Sequence, residues 1–181
     1  MMEYMLLFDD YCKANNLALK LSFDMPEGYE TANGMFDFES CTVYINAAVL
    51  ENCPDYEKLF YFFHELRHAS QYLMPEQFDA LILKSRLYVI MYNGICYKLE
   101  NNSWMECRLD GTEEFFTEMY LGQPYEKDAN TFAYDKVRSL LGDSIELQKL
   151  YAFWMPKKQI TEEMYLDLYH RIDQSIYTTT P

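Results

Sequence analysis

The 181-residue sequence predicts an α+β fold with its strands early and its helices late. Three observations predict it. Apolar and polar residues alternate over residues 17–23, which is the period of a half-buried strand. Segments 34–38 and 41–46 are separated by two residues, as in a hairpin. From residue 55 onward, most apolar residues recur at helical spacing, and glycine or proline marks many of the ends.

The early segments predict a three-stranded antiparallel N-terminal sheet followed by a mostly helical remainder. A second hairpin is predicted to pair residues 95–99 with 104–109. We expect the whole chain, 1–181, to form a single domain, with a core over 1–140 and C-terminal helices over 143–181, since no linker or repeat interrupts it. The predicted helices run over residues 2–15, 55–73, 76–93, 112–121, 124–141, 144–154 and 161–177.

The composition argues against direct contact with nucleic acid. Lysine and arginine number 15 against 29 acidic residues, and the formal charge of -14 would repel a phosphate backbone. The first ten residues lack a cationic start followed by a long apolar run, so we expect a cytoplasmic protein that does not enter a membrane. The five scattered cysteines have no paired Cys-x-x-Cys spacing, and we expect them to be reduced.

The segment from Tyr61 to Ala69 carries the main chemical signal, His64-Glu65-x-x-His68. Four residues advance a helix by about one turn, or roughly 6 Å, so both imidazoles can reach the same ion. Glu65 is then placed to take a proton from a water molecule that zinc has acidified. The motif therefore predicts a Zn²⁺ site with Glu65 as the catalytic general base. The bland interpretation is two solvent-facing histidines on an amphipathic helix.

A catalytic zinc ion commonly has three protein ligands, so a third ligand is needed. Glu126 is the preferred candidate, because Asn130 lies one turn further along the same predicted helix face and can hydrogen-bond a ligand histidine from the second shell. Asp128 is an alternative on another face of that helix. The remaining alternatives are acidic residues of a neighbouring helix: Glu113, Glu114 and Glu118.

Together, His64-Glu65-Leu66-x-His68 and the later run Glu126-x-Asp128-Ala129-Asn130-x-Phe132-Ala133 resemble the ImmA/IrrE-type metallopeptidases of bacteria and their mobile elements, including phages. The resemblance covers roughly residues 1–140. It implies a small zincin-like fold, a zinc-dependent endopeptidase activity and Glu126 as the third ligand. It also implies a repressor-like regulatory protein as the substrate. The sequence departs from the family pattern at Arg67, where a small residue is usual.

Further expectations concern the substrate and the chemistry around the metal. The strand 41–46 is the expected edge for a substrate backbone. His170, Tyr72 and Tyr134 are alternatives for a donor to the reaction's oxyanion, with surface or packing roles as the simpler interpretation. The protein partner is a protein or peptide substrate, such as a transcriptional repressor. The alternative function is a metal-stabilised, catalytically inactive module that binds a regulator without cutting it.

Overall fold

The computed structural model describes the chain from residue 2 to residue 179 and side chains from residue 4 to residue 177. The helices are α1 Met2–Asn15, α2 Ala47–Leu50, α3 Asp55–Leu73, α4 Ala80–Ser85, α5 Glu113–Leu121, α6 Pro124–Leu141, α7 Ile145–Phe153 and α8 Glu162–Thr179. The strands are β1 Lys20–Ser22, β2 Gly34–Asp37, β3 Thr42–Ile45, β4 Tyr88–Ile90, β5 Ile95–Glu100 and β6 Ser103–Arg108. The predicted α+β class is thus confirmed.

The N-terminal sheet is mixed, so the prediction of an antiparallel sheet is wrong. Its order is β1-β3-β2. β2 and β3 form the predicted antiparallel hairpin, whereas β1 runs parallel to β3. The reason is the long connection over residues 23–33, which carries the chain past β3 to its other side. β3 is therefore the central strand of this sheet, so the predicted strand 41–46 cannot be the substrate edge that we expected.

The second sheet has the order β4-β5-β6, with both pairs antiparallel. The predicted second hairpin is confirmed, and Asn101 and Asn102 turn it with positive φ angles of 50° and 60°. The long helix predicted over 76–93 is wrong. A 3-10 turn at Pro75–Gln77, α4 and β4 occupy that range. The aromatic and β-branched run of β4 favours a strand, and its pairing with β5 outweighs the helical spacing.

Contacts divide the chain into two compact units, each of which is described by itself. The first contains the residues up to Gln77 together with Thr131–Gln148, and the second contains Phe78–Asn130 and the residues from Lys149 onward. The chain changes unit three times, after Gln77, after Asn130 and after Gln148.

In the first unit, α1 packs against α3: the Tyr11 hydroxyl donates to the Leu66 carbonyl, and Tyr4 contacts the ring of Phe62. In the second unit, the core joins the β4-β5-β6 sheet to α5 and α8. Its largest fully buried side chains are Phe116, Ile90, Met119, Leu168, Tyr169 and Ile172. No helix within residues 2–179 is both long and apolar enough to cross a membrane.

Candidate metal centre

The helix α3 carries three of the predicted site residues. Asp55 and Glu57 lie in its first turn, where their negative charges interact favourably with the positive end of the helix dipole. Phe62 and Leu66 are fully buried. His68 is only 8% exposed and His64 is half-buried, so the interpretation of two solvent-facing histidines is wrong. Tyr61 and Gln71 are buried on α3 as well, so much of the helix surface is covered.

The two imidazoles face each other through their Nε2 atoms, which lie 2.9 Å apart. The rings are perpendicular, with 4.5 Å between their centroids. A tetrahedral zinc ion with Zn–N bonds of 2.0–2.1 Å holds two ligand nitrogens about 3.3 Å apart. The spacing in the protein therefore differs from that of a zinc-bound pair by only about 0.4 Å. The two nitrogens are thus close enough for one ion to bind both after a small adjustment.

Gln71 orients the second histidine. Its Oε1 lies 2.9 Å from Nδ1 of His68, and its side chain is fully buried. An amide oxygen can only accept, so His68 carries its proton on Nδ1, and its Nε2 is left with the lone pair that a metal needs. In the metal-free protein His64 Nε2 then donates to His68 Nε2, and a bound ion would displace that proton.

Contacts at the start of α6 fix the helix turn that carries Glu126. The backbone N–H of Tyr125 donates to Ser85 Oγ, and the Gln123 amide donates to the Tyr88 carbonyl. Both Ser85 and Gln123 are fully buried, so these hydrogen bonds are shielded from water. Buried polar groups with such defined bonds give α6 a fixed beginning.

Glu126, His64 and His68 form a group of potential metal ligands. Each offers one ligand atom, and the three atoms all lie within 4.8 Å of one another. Two imidazole nitrogens and a carboxylate oxygen are a donor set that zinc accepts. The cluster contains Glu126 and not Asp128, in agreement with the preferred third ligand. The residues can hold a metal ion, and the donor types are compatible with more than one divalent metal.

Asn130 lies one turn after Glu126 on α6 and is 4% exposed. Its Nδ2 donates to the Trp154 carbonyl at 3.1 Å. This bond anchors α6 near its middle. The predicted contact of Asn130 with a ligand histidine stays a prediction, and Gln71 is the residue whose side chain meets His68.

Glu65 is 7% exposed and lies under the first residue of β2. A Cβ atom added to Gly34 would meet Glu65 Cγ at 2.8 Å and the Tyr44 carbonyl oxygen at 2.9 Å. Both separations are shorter than a van der Waals contact, so any residue other than glycine at this position would displace the Glu65 side chain or the Tyr44 carbonyl. The predicted catalytic base thus touches the β1-β3-β2 sheet at β2.

Arg67, the departure from the family pattern, has its guanidinium 4.8 Å from the centre of the Phe132 ring. Tyr11 contacts the same ring edge-on at 6.0 Å. A cation above an aromatic face is attracted by the ring quadrupole. Arg67 and Phe132, which belong to the two different motifs of the resemblance, therefore pack on each other.

The rival residues have other contacts. Glu118 accepts hydrogen bonds from the backbone N–H groups of Lys157 and Lys158, and Glu114 pairs with the Lys158 ammonium. The three residues that we considered as oxyanion donors also have contacts of their own. His170 is exposed beside Gln174, the Tyr134 hydroxyl donates to Asp143, and Tyr72 packs against Phe36 and Phe38.

Sequence reasoning missed Gln71, Gly34 and Ser85. Gln71 had a usable signal, since it stands three residues after His68 on the same helix and so shares its face. Gly34 and Ser85 had none, because their roles depend on contacts between segments far apart in the chain. Comparison with models of protein families, with curated proteins and with solved structures finds no match to this chain.

Proposed function

We propose that this protein is a zinc-dependent endopeptidase, with His64, His68 and Glu126 as metal ligands and Glu65 as the general base. The observation that carries the proposal is the convergence of three ligand atoms from two separate sequence motifs within 4.8 Å. Glu65 is next to the first of them in the chain. Gln71 supports the proposal further by presenting the unprotonated Nε2 of His68.

A zinc ion held by these residues would lower the pKa of a water molecule to near neutrality and polarise a substrate carbonyl. The residues of the chain then transfer protons and position the reacting groups. The Glu65 carboxylate accepts the proton of the attacking water and later delivers it to the leaving amine, so the same group acts first as base and then as acid. Gly34 leaves room for this side chain, and Gln71 holds the tautomer of His68.

The resemblance to ImmA/IrrE-type metallopeptidases supports a protein substrate, and we propose a repressor-like regulator cleaved by this enzyme. A free strand edge supports an extended substrate. β2 is an edge strand of its sheet and runs beside Glu65. Edge strands recruit extended peptides through their backbone groups.

The test uses zinc-loaded protein and a random peptide library whose products are read by mass spectrometry. We expect the wild type to cut library peptides and Glu65→Gln to bind zinc equally well while losing at least about 1,000-fold in turnover, since proton transfer is removed while the ligands stay. Asp128→Asn is the matched control and should retain activity. Equal cleavage by Glu65→Gln would refute the assigned base, and no cleavage by a zinc-loaded wild type would refute the peptidase.

One observation favours the alternative function, a metal-stabilised module that binds a regulator without cutting it. Arg67 places a cation next to one predicted ligand in the chain, where it disfavours a further positive charge. Its position over Phe132 gives that cation a separate contact. If zinc binds and raises the melting temperature while no peptide is cut, the module is the better description.

A further inference from the structure

The free edge of β2 presents two backbone positions for pairing. The Asn46 N–H donates to the Asn33 carbonyl, and strand register places Asn33 opposite Asn46. Antiparallel strands alternate between hydrogen-bonded and non-hydrogen-bonded pairs. Met35 and Asp37 therefore bond to β3, and the N–H and C=O groups of Gly34 and Phe36 point away from it. No strand pairs with β2 on that side within residues 2–179.

The part of the chain that contains β2 carries charge of a single sign. Residues 21–57 contain eight acidic residues and neither lysine nor arginine. Five of them flank β2 in the chain or belong to it: Asp24, Glu27 and Glu30 precede it, Asp37 is its last residue, and Glu39 follows. All five are exposed or half-buried. Among the residues that the structure describes, none of these five carboxylates forms an ion pair with a lysine or arginine.

An exposed aromatic ring stands among these carboxylates. Phe38 is 38% exposed and stacks on Tyr72 with the ring planes 6° apart and the centroids at 5.5 Å. Asp37 and Glu39 are its neighbours in the chain. Aromatic faces attract guanidinium and ammonium groups, and the adjacent negative charges strengthen that attraction. The ring and the two carboxylates together favour a cation at the end of β2.

We propose that the β2 edge binds an extended polypeptide segment that carries lysine or arginine side chains. The Gly34 and Phe36 backbone groups pair with the segment as an added strand, and the carboxylates that flank β2 in the chain attract its cations. A segment bound at this edge lies next to Glu65, so we assign it as the substrate of the proposed peptidase. This assignment rests on the proposed function. The preference for cationic segments is a property of the β2 surface, and it applies to binding whether or not the segment is cleaved.

The test measures fluorescence anisotropy with zinc-loaded Glu65→Gln, which cannot consume the probe. The probes are a short fluorescein-labelled peptide of alternating valine and lysine, its counterpart with glutamine for lysine, and the lysine peptide with N-methyl amides at every second residue. We expect the lysine peptide to bind at least about tenfold more tightly than the glutamine peptide at low ionic strength. N-methylation should weaken binding by a similar factor, because it removes the strand-pairing donors.

Matched variants locate the effect. Glu27→Gln with Glu39→Gln should weaken binding of the lysine peptide about fivefold, whereas Glu162→Gln with Glu163→Gln, on exposed positions of α8, changes the net charge equally and should leave it unchanged. Equal losses in both pairs, or equal affinity for lysine and glutamine peptides, would overturn the proposal. Absence of cleavage by the wild type, with lysine-selective binding at β2 intact, would count against the peptidase and not against this surface.

Discussion

Gln71 is the residue on which the tautomer of His68 depends. Its Oε1 meets the Nδ1 proton, with 2.9 Å between the oxygen and the nitrogen, in a fully buried position. A ligand histidine that is held in this way needs no reorientation when an ion arrives. The orientation of the other ring follows from it, since the two Nε2 atoms share one hydrogen bond.

Replacing Gln71 with leucine should weaken zinc binding about 10- to 100-fold, because the acceptor that fixes the His68 tautomer is lost. The Gln71→Glu variant keeps an acceptor oxygen at this position and should retain most of the affinity. Competition with a chromogenic chelator measures both variants. NMR nitrogen shifts of His68 should report a mixed tautomer only in Gln71→Leu. An unchanged affinity in that variant would contradict the role of Gln71.

Gly34→Ala should lower the free energy of unfolding by about 1–3 kcal/mol, since the new Cβ overlaps both Glu65 Cγ and the Tyr44 carbonyl oxygen. Turnover should fall as Glu65 is displaced, while zinc affinity is kept. Denaturant titration of a double-mutant cycle with Glu65→Ala checks the cause: the cost of Gly34→Ala should shrink when Glu65 Cγ is absent. A cost that is the same in both backgrounds would assign the strain to the backbone of Tyr44 alone.

At the scale of elements, helices with clear end signals were predictable. α3 and α6 begin and end where the sequence predicts, because apolar spacing, proline and glycine mark them. β4 was not predictable, since its residues also fit a helix and only pairing with β5 decides. The parallel pairing of β1 with β3 could not be predicted for the same reason, because the pairing of distant segments is not encoded in the local sequence pattern.

Glu118 shows how one side chain ties an element to a loop in the second unit. It is 8% exposed, and its Oε2 accepts from the N–H groups of Lys157 and Lys158 at 2.7 and 2.9 Å. Glu118→Ala should cost about 3 kcal/mol, since each hydrogen bond to a charged group contributes about 1.5–3 kcal/mol. Glu113→Ala, on an exposed position of the same helix, is the control. Equal denaturation midpoints for the two variants would contradict this role.

For the whole molecule, the composition gives a net charge of -14, and the two motifs contain the three residues of the ligand cluster. The part of the candidate site that could be predicted is the set of residues that the two motifs name, His64, Glu65, His68 and Glu126. The unpredicted part is the support from Gln71, Gly34 and Ser85, whose contacts form only when distant segments pack. Spacing along a helix can be read locally, whereas contact across the fold cannot.

Three buried tyrosines in the second unit should resist ionisation at alkaline pH. Burial raises the pKa of Tyr88 to about 12, with a smaller contribution from Asp173, and burial also raises the pKa values of Tyr165 and Tyr169. A pKa that is higher in the folded state stabilises the fold below pH 10, and this contribution is lost as the pH rises from 10 through about 12. Absorbance at alkaline pH, followed together with circular dichroism, should show these three ionising only as the fold is lost. Ionisation of all 17 tyrosines near pH 10 in a folded protein would contradict their burial.

The most direct test of the central claim is a calorimetric zinc titration of the metal-free protein and two variants, Glu126→Ala and Asp128→Ala. The wild type and Asp128→Ala should each bind about one zinc ion per chain, and Glu126→Ala should lose at least about 100-fold in affinity because one of three protein ligands is gone. Zinc binding that survives Glu126→Ala, or that fails in the wild type, would contradict a centre built from His64, His68 and Glu126.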